Sequence, residues 1–105
     1  MSQTSTEARP VSAVILAGGL ARRFQGEDKG LINLSRRPLA AWVAERLAGH
    51  AAEVLVNANR NLDRYAAIGH TVVADYLPNH PGPLAGLLSA ARTAQNEWLL
   101  SVPCD

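Results

Sequence analysis

The sequence predicts a three-layer α/β protein whose mainly parallel sheet breaks off after about four strands. Two observations carry this. Short apolar runs bounded by turn residues alternate with stretches whose apolar residues recur at helical spacing. The first of those runs also ends in Ala17-Gly18-Gly19 and opens into a loop holding Arg22, Arg23 and Lys29.

Residues 1–11 lack the apolar core of a signal peptide and read as a disordered leader. Ala13–Leu16 is continuously apolar, so Ser12–Leu16 reads as a parallel strand covered on both faces. Leu39, Val43 and Leu47 recur every four residues beside Trp42, between Pro38 and Gly49, and mark an amphipathic helix. Glu53–Ala58 is a second strand, Asn61–Ile68 a short helix stopped by Gly69, and Thr71–Ala74 a third strand. The prolines and glycine of Tyr76–Pro83 require a loop. Leu84, Leu87, Leu88 and Ala91 mark a further helix, and Trp98–Val102 a fourth strand. Trp42 and Trp98 are expected in the core. The chain stops as the fourth strand ends, which reads as a fragment of a longer protein.

Strands alternating with helices predict right-handed crossovers, and such sheets bind ligands at the carboxyl ends of their strands. Those ends carry Ala17-Gly18-Gly19, Asn57-Ala58-Asn59, Asp75 and Asp105. Glycines, amides and carboxylates are thus expected to converge on one site.

Composition narrows the function. The chain is 48% apolar but only 5% aromatic, so its core is built from small and branched aliphatic side chains. Ten basic against nine acidic residues leave a net charge of +1, which argues against nucleic-acid or membrane-surface binding. A single cysteine, Cys104, excludes an internal disulfide or a multi-cysteine metal site. It fits a reducing, cytoplasmic setting and reads as a small packed residue. His50, His70 and His80 have no ligand spacing. No apolar run approaches the ~20 residues that span a membrane.

The glycine loop is neither a Walker A motif nor a G-x-G-x-x-G dinucleotide fingerprint. Its glycine amides can still approach phosphate oxygens closely, Arg23 can clamp them with its planar fork, and Lys29 can neutralise charge. Singly, Gly18-Gly19 would read as a turn and Lys29 as a surface lysine; the spacing is what raises the phosphate reading.

LAGG followed by Arg-x-x-x-x-Asp-Lys-Gly resembles the signature of the nucleotidyltransferases. LAGGLARRFQGEDKGL, RRPL, VLVNANR, VVAD, PGPLAGLLSA and the terminal PCD resemble, in order and approximate spacing, the molybdenum cofactor guanylyltransferases (MobA family). The resemblance covers about residues 13–105. It implies a Rossmann-like nucleotidyltransferase fold, with residues 12–105 as the N-terminal nucleotide-binding part. It implies transfer of GMP from GTP to the molybdenum-molybdopterin cofactor, with release of pyrophosphate. The GTP site then falls on Leu16, Ala17, Gly18, Gly19, Lys29, Asn57, Asp75 and Asp105. Arg23, Lys29 and Asp105 would be catalytic, and Asp105 would hold Mg²⁺. Pro81–Gly86 would shape the nucleobase pocket. Implied partners are GTP and the molybdopterin cofactor, with molybdoenzymes or other cofactor-assembly proteins beyond them. One departure stands out: Gln25 occupies a loop position where the family usually has glycine, which bears on the local loop shape.

Two other functions fit the same scaffold: a cytidylyl- or sugar-nucleotide transferase, and a non-catalytic nucleotide-binding module. The 105 residues hold most of a GTP pocket but no acceptor site, so little transfer is expected of them alone.

Overall fold

The computed structural model describes residues 10–18, 23–24, 26–76 and 83–104, with backbone only for Arg23 and Phe24. The leader, Gly19, Arg22, Gln25, the stretch 77–82 and Asp105 therefore lie wholly or largely outside the described residues.

The first apolar run forms β1 (Val11–Leu16), buried throughout from Ser12 onward. The strand also takes in Val11, the last residue assigned to the leader. It pairs in parallel with β6 (Glu53–Asn57) on one side and β8 (Trp98–Pro103) on the other. The short β7 (Thr71–Val73) adds in parallel to β6, giving the order β7-β6-β1-β8. The sheet is parallel, as expected. Leu16 stands opposite both Asn57 and Pro103, and Asn57 opposite Val73, so the carboxyl ends finish level.

Alternation along the strands divides the core in two. Ile15, Val54 and Val56 face one layer with Leu31, Ala40, Ala44 and Tyr65. Val14, Leu16 and Leu55 face the other with Ala90 and the partly buried Leu87. Burying each large aliphatic side chain stabilises the fold by ~1.5–3 kcal/mol. Helix α1 (Leu39–Ala48) covers the first face through Ala40, Ala41 and Ala44. Val43 and Leu47, expected to lead the contact, are only partly buried. Alanines let the helix backbone lie close to the sheet and push the larger side chains to the flank. Helix α2 (Leu62–Ala66) joins the same layer and is shorter than its sequence suggests, while α3 (Pro83–Thr93) covers the opposite face.

The loop after β1 is more structured than the sequence indicates. It folds as two small antiparallel hairpins, β2 (Arg23–Phe24) with β3 (Glu27–Asp28), and β4 (Asn33–Leu34) with β5 (Arg37–Pro38). A 3₁₀ turn, Lys29–Leu31, separates them. In the first hairpin Gly26 takes the left-handed backbone, at φ +82°, so glycine fills a position that needs one.

In the second hairpin the left-handed residues are Ser35 and Arg36, at φ 52° and 71°. Such a turn matches strand twist but costs non-glycine residues roughly 1–2 kcal/mol each. Trp42 stabilises it by donating its indole N–H to Leu34 O at 2.8 Å. Arg37 lies 4.5 Å over the Trp42 ring and pairs with Glu45 at 2.5 Å.

The core assignment of both tryptophans is thereby corrected. Trp42 is 39% exposed because it caps this hairpin, and Trp98 is 54% exposed because it opens the edge strand β8.

Among the described residues Tyr65 is the largest fully buried side chain, and its hydroxyl has no hydrogen-bond partner there. Burial, and secondarily the Asp28 carboxylate, push its ionisation well above the ordinary tyrosine range. An orphaned buried hydroxyl costs more than it contributes. Tyr65→Phe is therefore expected to raise stability by ~0.5–1 kcal/mol in urea denaturation. A loss of that size would show the hydroxyl to be satisfied.

Candidate functional site

The site is set by where the parallel ladder stops. Ala17 N donates to Asn57 O at 2.8 Å, and Ala58 N to Val73 O at 3.1 Å, so pairing runs one residue beyond each strand. Polar side chains begin immediately afterward. Asn57, the last residue of β6, is only 3% exposed. Its Nδ2 donates to Val73 O at 3.0 Å and to Asp75 Oδ1 at 2.8 Å. Both amide hydrogens are thus committed, because a carboxamide carries only two. Its Oδ1 keeps its acceptor capacity.

Asp75, half-buried beyond β7, is held twice more by Asn59. Asn59 Nδ2 donates to Asp75 Oδ2 at 3.0 Å, and Asn59 Oδ1 accepts from the Asp75 backbone N at 2.8 Å. Each carboxylate oxygen has one amide donor and further lone pairs to offer. The carboxylate plane is therefore defined before any ligand arrives.

Two glycines leave room for this cluster. A Cβ on Gly18 would sit 2.7 Å from Asn59 Nδ2 and 3.1 Å from Asn57 Oδ1. On Gly86, in the first turns of α3, a Cβ would overlap the Asn57 carboxamide. One helical turn on, Ser89 accepts from Tyr76 N at 2.9 Å and donates to Ala85 O at 2.8 Å. The residue after Asp75 is thereby tied to α3.

Lys29 arrives on a separate element, at the start of the 3₁₀ turn. Its flanking residues are both buried. Asp28 Oδ1 accepts from Arg60 Nε at 2.5 Å, Asp28 Oδ2 accepts from Asn61 Nδ2 at 2.9 Å, and Gly30 packs against Tyr65.

Of the residues assigned from sequence, Leu16, Ala17, Gly18, Asn57 and Asp75 come together at one edge, with Gly86 beside them. Gly19, Asp105 and the Arg23 side chain lie outside what is described. Among the described residues no three His, Cys, Asp or Glu side chains converge on a metal-binding group. Nor is any described helix long and apolar enough to cross a membrane.

Sequence reasoning placed Asn59 at the converging strand ends without giving it a role of its own, and overlooked Arg60, Asn61 and Ser89 as partners. The run Asn57-Ala58-Asn59-Arg60-Asn61 carried a signal: so many hydrogen-bonding side chains after one buried strand need partners.

A family model described as the MobA-like NTP transferase domain matches residues 13–105, and the chain belongs to that family. A protein of Shewanella halifaxensis named molybdenum cofactor guanylyltransferase is 47% identical over 95 residues, which cover 90% of this chain and 48% of that protein. One of the same name from Shewanella pealeana is 48% identical over 98 residues, covering 93% and 49%. The chain thus spans about half the length of these relatives. Among solved structures, a CMP:2-keto-3-deoxy-manno-octonic acid synthetase complexed with CTP superimposes with a TM-score of 0.67 at 19% identity, over 91% of this chain and 39% of that one. That likeness is one of fold.

The Gly86–Asn57 contact makes a direct prediction. Alanine is favoured over glycine in a helix by ~1 kcal/mol. Overpacking against a hydrogen-bonded carboxamide costs ~1–3 kcal/mol. Gly86→Ala is therefore expected to lower stability in chemical denaturation, and a stabilised variant would show that the contact is loose.

Proposed function

We propose that the full-length protein transfers GMP from GTP to a molybdenum-molybdopterin cofactor and releases pyrophosphate, working in the cytoplasm. The observation that carries this reading is the Asn57–Asp75–Asn59 cluster beside Gly18. It is an oriented, half-buried carboxylate whose amide partners pack against a glycine backbone that carries no side chain of its own, at the carboxyl edge of a parallel sheet. The names of the relatives supply the guanylyl and molybdenum parts of the proposal.

Asp75 accepts hydrogen bonds from the nucleoside, through guanine N–H groups or ribose hydroxyls, with Asn57 and Asn59 holding it in plane. Leu16 and Ala17 line the nucleotide, the Ala17 amide being already donated to Asn57 O, and the amides of Gly18 and Gly19 approach the phosphates. Lys29 and Arg23 stabilise the charge that develops on the α- and β-phosphates. An oxygen of the acceptor's terminal phosphate attacks the α-phosphorus of GTP, a new P–O bond forms, and the bond to the bridging β-phosphate oxygen breaks. The attacking oxygen is already anionic, so no general base is needed. Asp105 is the residue assigned to Mg²⁺, which suits a hard carboxylate and would neutralise phosphate charge when bound.

Calorimetry on the full-length protein with Mg²⁺ is expected to show GTP binding at least ~10-fold more tightly than CTP, as a site built for one base edge discriminates. Lys29→Ala is expected to slow pyrophosphate release by ~10²–10³-fold. Equal or tighter CTP binding would overturn the guanylyl assignment. Nucleotide binding without any pyrophosphate release would identify a non-catalytic module.

A further inference from the structure

Asp28 has no part in the chemistry above, yet it is 1% exposed and charged. Lys29 follows it in the chain, and Arg23 stands opposite it in the β2–β3 register. The carboxylate therefore lies on the backbone that carries both proposed phosphate-neutralising cations. Unpaired, it would oppose a triphosphate.

Its side chain makes no capping bond to the 3₁₀ turn that it precedes. Instead it crosses 32 residues of sequence to Arg60 Nε, at 2.5 Å, and reaches Asn61 Nδ2 at 2.9 Å. Arg60 is itself 28% exposed, so the pair is buried at its Asp28 end and partly screened from solvent at the other. The adjacent Arg64–Glu27 pair, at 3.7 Å and exposed on both sides, adds little. On the far side of Lys29, a Cβ on Gly30 would sit 2.9 Å from the Tyr65 hydroxyl. Lys29 is thus bracketed by two immobilised residues. The segment that grips Asp28 is also the one whose Asn57 and Asn59 hold Asp75.

We infer that Asp28 is a positioning residue: through Arg60 and Asn61 it locks the turn carrying Lys29 to the loop that orients Asp75, fixing the phosphate-binding charge relative to the nucleoside-binding carboxylate. This rests on the guanylyl-transfer reading for what Lys29 does. Removing one member of a buried pair leaves the other charge uncompensated. A misplacement of ~1 Å at a reacting centre can cost ~10²-fold in rate.

The test is a double-mutant cycle on the full-length enzyme, reading kcat and KM for GTP in Asp28→Asn, Lys29→Ala and the double variant. Asp28→Asn is expected to lower kcat by about 10- to 100-fold with KM changed by less than about threefold. Added to Lys29→Ala, it is expected to cause no further loss, because it acts through that lysine. Asn61→Gly suits the left-handed backbone at φ 55° and deletes one bond to Asp28, so it should show the same pattern at smaller amplitude. It serves equally if Asp28→Asn does not fold. Losses that add in the double variant indicate a merely structural role and overturn this inference alone. Full activity in Lys29→Ala, or no product from the parent enzyme, overturns the guanylyl-transfer reading and this inference with it.

Discussion

The two central strands are buried on both faces, and everything else follows from that constraint. From Ser12 to Leu16 in β1, and from Val54 to Asn57 in β6, every residue is buried. Backbone groups in such strands can be satisfied only by neighbouring strands, so pairing is obligatory and its register is set. Parallel pairing then brings all the strand ends to one edge. There the apolar demand ends within two residues, after the buried Ala58 beyond β6 and between Ala17 and Gly18 after β1.

Two carboxylates on this side of the molecule are managed in the same way. Asp75 is held by amides from Asn57 and Asn59, and Asp28 by the guanidinium of Arg60 and the amide of Asn61. All four donors come from one pentapeptide. A neutral amide orients a carboxylate without cancelling its charge, which suits a group left half-exposed to accept from a ligand. A guanidinium cancels the charge, which suits a carboxylate that must be buried beside cationic residues. The opposite end of the sheet has a polar network of a different kind. There Ser12, Glu53, Gln95 and Asn96 bond to one another and tie the strands together.

How much of this was legible in the sequence depended on whether a residue's neighbours were local. Strand and helix positions rest on periodicity within a few residues, and Leu16, Ala17, Gly18, Asn57 and Asp75 fell at strand ends that could be counted off. The two hairpins after β1 were not legible, because their strands are two residues long and the second uses Ser35-Arg36 in place of a glycine-containing turn. Trp42 was misplaced for the same reason: its partner, the Leu34 carbonyl, belongs to that hairpin. The alanine face of α1 was hidden because a stripe of larger side chains dominates its pattern.

By itself, then, the sequence determined the α/β class, the parallel sheet, the edge on which ligand chemistry collects and the family to which the chain belongs. Each is encoded in local periodicity or in contiguous motifs. Tertiary structure decided which polar residues are partners. The bonds from Asn57 and Asn59 to Asp75 close across 16 to 18 residues, and the Arg60–Asp28 pair across 32. Such bonds exist only once the strands have paired, because pairing is what brings those distant side chains within reach of one another.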